Sequence, residues 1–254
     1  MTTSPNVLSQ VTRPDAATRR QRALDLLLGL GLLLAVALVT AALAGFPSTV
    51  QVLQAAALYL LLAVIVFRRL PGNAPGPGIG WANRVTLLRA VPVMLVAGLV
   101  GHGPYPDTAI WWVIALAVAV LLLDGVDGLV ARRTGTTTAF GARFDMELDA
   151  ALILLLALLV WLTGQTGAWV LLLGAMRYAF IAAGVIVPVL RRPLPDSIRR
   201  KGVCVVQTAA LLICLVPVVS PGAASVIALL ALGLLVYSFT VDVDWLLRRA
   251  PGSG

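Results

Sequence analysis

Long apolar runs, broken by short polar stretches, dominate the chain. Eight of them approach the roughly 20 residues that a helix needs to cross a hydrocarbon core. They lie near 24–44, 50–67, 85–101, 108–127, 145–163, 168–190, 203–219 and 223–246. Runs of this length predict helices, because lipid offers the backbone no hydrogen-bond partner and each segment must satisfy its own. The stretch at 71–81, PGNAPGPGIGW, is rich in the residues that break helices and reads as a linker. It divides the expected organisation into a basic segment at 1–23, a two-helix extension at 24–70, the linker, a six-helix body at 82–247 and a short tail at 248–254. The chain has neither an internal repeat nor a low-complexity tail.

Composition agrees with the pattern. With 60% hydrophobic and 12% charged residues, the chain is too apolar for a soluble domain and is expected to be an all-α, multi-pass integral membrane protein. The net charge of +8 would suggest nucleic acid only if the basic residues formed one patch. Instead they recur between alternate apolar runs: Arg19, Arg20 and Arg22, then Arg68 and Arg69, Arg84 and Arg89, Arg132, Arg133 and Arg143, Arg191 to Lys201, and Arg248. The opposite loops, near Pro47, His102 to Asp107, Gly164 to Gly167 and Ser220 to Gly222, hold neither Lys nor Arg. Nucleic acid is therefore not an expected partner, and the one-sided charge places both termini in the cytoplasm, most simply at a bacterial inner membrane. The first apolar run follows three arginines and ends in small residues, as a signal peptide does, but it exceeds the usual apolar core of about 7 to 15 residues and reads as an uncleaved helix. Cys204 and Cys214, ten residues apart in one run, are too distant along a helix to pair.

Five of the eleven acidic residues fall between 121 and 150. Asp124 and Asp127 close the fourth predicted helix, and Asp145 and Asp149 open the fifth, so spacings of three and four residues put each pair on one helical face. One ionised Asp in a membrane helix costs about 3 kcal/mol on insertion scales, and four repel one another, so a cation must compensate. A solvated patch of ion pairs with Arg132, Arg133 and Arg143 is one solution. Binding of hard divalent cations is the better supported one, because oxygen-only ligands without Cys or His suit Mg²⁺ or Mn²⁺. Glu147 falls on another face and is left outside the site. Gly125, Gly128 and Gly141 leave room for close approach by a phosphate, although membrane helices also use glycine for packing. Arg132 adds a planar fork suited to phosphate oxygens. Together these residues describe a phosphate-transfer site.

The segment 124–149 also carries every fixed position of D-x-x-D-G-x-x-A-R-x8-G-x3-D-x3-D: Asp124, Asp127, Gly128, Ala131, Arg132, Gly141, Asp145 and Asp149. In this it resembles the CDP-alcohol phosphotransferase family. The resemblance implies a six-helix CDP-alcohol phosphotransferase-like bundle over about 82–246, to which the two N-terminal transmembrane helices are an addition. It implies a phospholipid-synthesis transferase that moves a phosphatidyl group from a CDP-alcohol lipid donor, usually CDP-diacylglycerol, to an acceptor hydroxyl and releases CMP. By position, Asp124, Asp127, Asp145 and Asp149 would bind two divalent cations, Mg or Mn, with Asp149 also the general base. Gly128, Ala131, Arg132 and Gly141 would line the nucleotide site. Residues 81–89, WANRVTLLR, resemble the family's P-N-x-x-T-x-x-R segment with Ala82 in place of proline. Asn83 and Thr86 thus become nucleotide-site candidates, with helix capping as the equal alternative.

Arg177 is the one cation deep in a predicted helix, and an intramembrane charge is a functional candidate. It is expected to bind an acceptor phosphate, with simple pairing to an acid as its other reading; the same is expected of Arg199, Arg200 and Lys201, whose other reading is topology-setting charge at lipid headgroups. Gln207 is a further candidate for lining the cavity. Other expected partners are membrane lipids, and the assembly admits a homodimer. Phosphatidylglycerophosphate synthases resemble D-P-x-x-D-K and R-E where this chain has DMELDA at 145–150 and Arg177-Tyr178, and inositol-phosphate enzymes a D-R dipeptide that is also absent, so the acceptor stays open. A divalent-cation transporter would spread polar groups through the bilayer depth on broken helices, and a catalytically silent scaffold would not need four aspartates.

Overall fold

The computed structural model describes residues 15–70, 78–134, 138–192, 194–195 and 197–248, with the side chains of 81–82 and 126–134 excepted. The basic segment through residue 14, the linker at 71–77 and the tail from 249 lie outside the described residues. Among the described residues the chain is all helix, with no strand. Eight α-helices follow in order: α1 Ala16–Ala44, α2 Thr49–Arg69, α3 Trp81–Leu99, α4 Asp107–Thr134, α5 Ala139–Leu162, α6 Leu172–Ile186, α7 Ile198–Leu215 and α8 Pro221–Arg248. Short 3-10 turns precede and follow α6.

Seven of the eight apolar runs each become one α-helix, and the run at 168–190 becomes α6 flanked by two 3-10 turns. Among the described residues, five stretches are long and apolar enough to cross a membrane: α1, α2, the first part of α4 through Gly125, α6 with its preceding turn, and α8. Helices α3, α5 and α7 carry charge toward their N-terminal ends: Arg84 and Arg89 in α3, Arg143 with three acids in α5, and Arg199, Arg200 and Lys201 in α7. Leu27, Leu28, Leu38 and Leu43 on α1, and Leu230 and Tyr237 on α8, are exposed on the spanning helices. Such surfaces would drive association in water and are natural against lipid. The protein is an integral membrane protein.

Local chemistry sets the helix ends. Asp15 accepts the Thr18 N–H at 2.8 Å at the start of α1, and hydrogen bonding from the Thr18 side chain, with this backbone bond second, holds its carboxyl below the usual range. Ser48 and Gln51 form a reciprocal capping box on α2, with Ser48 N–H donating to Gln51 Oε1 at 2.7 Å. Thr138 Oγ1 accepts from Gly141 N–H at 2.9 Å in the first turn of α5.

The chain divides into two compact units. One comprises α1 to α3, the second half of α4 from Ala119, and α5 through Met146. Here α1 packs on α2, and the Tyr59 hydroxyl donates to Leu26 O at 3.0 Å while its ring lies against Gly29. Helices α2 and α3 are drawn equally close: Gln54 Nε2 donates to Ala97 O at 2.9 Å, and a Cβ on Gly98 would meet the Gln51 carbonyl oxygen at 2.5 Å. The second unit comprises the first half of α4, α5 from Glu147, and α6 to α8. Its main pairing is α7 on α8, with Cys214 buried and its thiol donating to Ala224 O at 3.3 Å. Phe180 packs on Phe239 at 5.4 Å between ring centres, and Gly174 lets α6 approach Leu154.

Candidate active site

In α3, Asn83, Thr86 and Arg89 are spaced by three residues and share a helical face. All three are buried, Arg89 completely. Helix α3 begins at Trp81, so neither Asn83 nor Thr86 stands at the capping position. Arg89 instead reaches acids of two other helices. Its Nη1 lies 2.9 Å from Asp124 Oδ1 and also donates to Asp145 Oδ1. The cation demanded by the acidic cluster is thus supplied by α3. Arg143 is exposed, and the side chains of Arg132 and Arg133 lie outside the described residues. The spacing of Arg89 from Thr86 and Asn83 was its signal in the sequence, but only packing reveals which helix it serves.

Asp149 follows Asp145 by one turn of the unbroken helix α5. Asp124, Asp145 and Asp149 each offer a carboxylate oxygen within 4.8 Å of the others. Arg89 pairs with two of these three carboxylates, Asp124 and Asp145. The side chains of Asp127, Gly128, Ala131 and Arg132, expected to complete this site, lie outside the described residues.

One turn before Asp145, Gly141 faces Asn83. A Cβ at 141 would come within 2.7 Å of Asn83 Oδ1 and 3.1 Å of Thr138 Oγ1, so the close approach of α3 and α5 depends on the missing side chain. Asn83 Nδ2 donates to Ile79 O at 2.7 Å, which fixes the orientation of the amide. Its Oδ1 is buried beside Gly141 with no partner. An orphaned buried acceptor is rare in a native protein and calls for a ligand. Three carboxylates, with neither Cys nor His among them, form a donor set that fits a hard divalent cation.

The other expected residues form separate pairs within the second unit. Arg177 Nη2 binds Glu147 Oε1 at 2.5 Å. Arg199 donates to Ser238 Oγ at 2.7 Å and to Asp242 Oδ1 at 2.5 Å, and Arg200 Nη1 reaches the same oxygen at 3.2 Å. Lys201 is exposed. Gln207 is buried in α7, with Nε2 lacking a partner. Asp242, buried and shared by two arginines, carries no motif and went unread in the sequence.

The family model for CDP-alcohol phosphatidyltransferase matches residues 80–237. Two curated relatives, each called a probable phosphatidylglycerophosphate synthase, come from Mycobacterium tuberculosis strains CDC 1551 / Oshkosh and ATCC 25618 / H37Rv. Each is 30% identical over 177 residues, covering 68% of this chain and 83% of the relative. No solved structure matches. Matching the family model across more than half its length, and bearing the acidic cluster on α4 and α5, this chain is a transferase that belongs to the CDP-alcohol phosphatidyltransferase family.

Proposed function

We propose that the protein transfers the phosphatidyl group of CDP-diacylglycerol to an acceptor hydroxyl, at the cytoplasmic face of a bacterial inner membrane. The observation that carries this reading is the convergence of Asp124, Asp145 and Asp149, two of them bridged by a buried Arg89. Asp124, Asp127, Asp145 and Asp149 would hold two divalent cations, Mg or Mn. When bound, such a pair neutralises diphosphate charge and stabilises both the attacking and the leaving oxygen. Asn83, Thr86, Gly128, Ala131, Arg132 and Gly141 bind and orient the cytidine diphosphate. Asp149 takes the proton from the acceptor hydroxyl, which gives that oxygen its nucleophilic pair. The oxygen attacks the β-phosphorus, the bond from that phosphorus to the bridging oxygen breaks, and CMP leaves with the electron pair.

Arg177, Arg199, Arg200 and Lys201 are assigned to a phosphate on the acceptor. The names of the two relatives make glycerol 3-phosphate the first acceptor to assay. The test is CMP release by purified protein with CDP-diacylglycerol and Mg²⁺ or Mn²⁺, against glycerol 3-phosphate, inositol 1-phosphate, serine, choline and phosphatidylglycerol. One acceptor should support release, and chelation of the metal should stop it. Asp149→Asn should lower turnover at least about a hundredfold while CDP-alcohol binding persists. Silence with every acceptor and donor overturns the reading, and near-normal turnover in the variant removes Asp149 as base.

A further inference from the structure

The family match begins at residue 80, yet the helix that opens the matched region is held by charged side chains from outside it. In α1, Asp25 is 8% exposed and Arg22 is 2% exposed. Asp25 Oδ2 accepts the Ile79 N–H at 3.1 Å, and its Oδ1 lies 2.9 Å from Arg84 Nη2. Arg22 donates through Nε to Gly78 O and through Nη1 to Leu70 O, both at 3.3 Å. Gly78 has φ +67, and Asp25 Oδ2 occupies the space a Cβ there would need. The turn before α3 is therefore shaped around this carboxylate. A carboxylate at a helix start also meets the positive end of the helix dipole.

Ile79, itself fully buried, connects this anchor to the site. Its N–H is held by Asp25, and its C=O accepts Asn83 Nδ2 at 2.7 Å. That second bond turns Asn83 so that the carbonyl oxygen, rather than the amine, faces Gly141. Two turns further on, the same helix presents Arg89 to Asp124 and Asp145. A buried ion pair is a poor means of simply gluing helices together, since desolvation offsets much of its attraction. Here it has a specific geometric effect.

Resting on the transferase reading, we infer that Asp25 is a positioning residue: through Ile79 it sets the orientation of Asn83 in the nucleotide site, so the added helix α1 takes part in binding the CDP-alcohol. The test compares Asp25→Ala, which removes both bonds, with Asp25→Asn, which retains an acceptor for Ile79 N–H and loses the charge. Asp25→Ala should raise the KM for CDP-diacylglycerol about tenfold or more, with the KM for the acceptor unchanged. Asp25→Asn should recover most of that loss. Hydrogen exchange at residues 79–83 of the full-length protein in micelles should rise in Asp25→Ala and stay close to wild type in Asp25→Asn. A role in anchoring alone predicts lower melting temperature with unchanged donor KM in the folded fraction, which would overturn the inference. Unchanged exchange at 79–83 would overturn it as well, whether or not the wild type turns over. A wild type that releases no CMP, with exchange responding as expected, would sink the transferase reading and leave the Asp25 anchor standing as a structural device.

Discussion

Arg89 serves two carboxylates, whereas Asp242 serves two guanidiniums. The two clusters, one in each unit, are built from the same residue types in opposite proportion. Around Arg89 one buried cation bridges two acids, and around Asp242 one buried acid bridges two cations. Under the proposed function the first would lie at the metal site and the second at the acceptor phosphate. A membrane protein tolerates an isolated charge poorly, and in both clusters the buried charge is paired with groups from other helices.

Breaking the first cluster should have the larger effect. Arg89→Ala removes the counter-ion of two acids and should cost about 3 kcal/mol of stability, with activity lost. Thermal unfolding of this variant should respond more strongly to added Mg²⁺ than that of wild type, because a divalent cation replaces the lost charge. An equal metal response in both proteins would contradict the role of Arg89 as counter-ion to the acids.

Asp242→Asn tests the opposite proportion. It should cost about 2 kcal/mol through weakened charge-assisted bonds and shift the KM of a phosphate-bearing acceptor while leaving the donor KM alone. A change confined to the donor would reverse the assignment of the two clusters. Gly141→Ala is milder: the new methyl meets Asn83 Oδ1 at 2.7 Å, and relief of that overlap should cost about 1 kcal/mol with a several-fold rise in donor KM. Arg248→Ala, which removes an exposed pair with Asp244, should leave melting and kinetics unchanged. A measurable loss there would show that surface pairing matters as much as the buried clusters.

The eight helices were legible because apolar runs of membrane length have a single low-energy backbone solution in lipid. The aspartates were legible because their spacing fixes a shared face whatever else the chain does. Arg89 was not, since its partners lie 35 and 56 residues downstream on other helices, and no local period encodes which helix packs on which. The same holds for Asp25 with Arg84. Hydropathy reads α1 and α2 as an appendage, yet they share a compact unit with the site-bearing part of α3. Arg177 illustrates the converse: sequence marked it as exceptional, and the structure gives it Glu147, the acid that periodicity had set apart.

Biosynthesis meets these charges in a fixed order. A ribosome completes Asp25 before Arg84, and Arg89 before Asp124 and Asp145. Each charged helix thus leaves the insertion machinery ahead of its counter-ion, with Asp25 waiting through the whole of α2. Helices in that condition favour staying beside the translocon, or in its aqueous groove, over free release into lipid. On this order of synthesis, dispersal of the early helices is expected to wait until α3, and then α4 and α5, have emerged to join them.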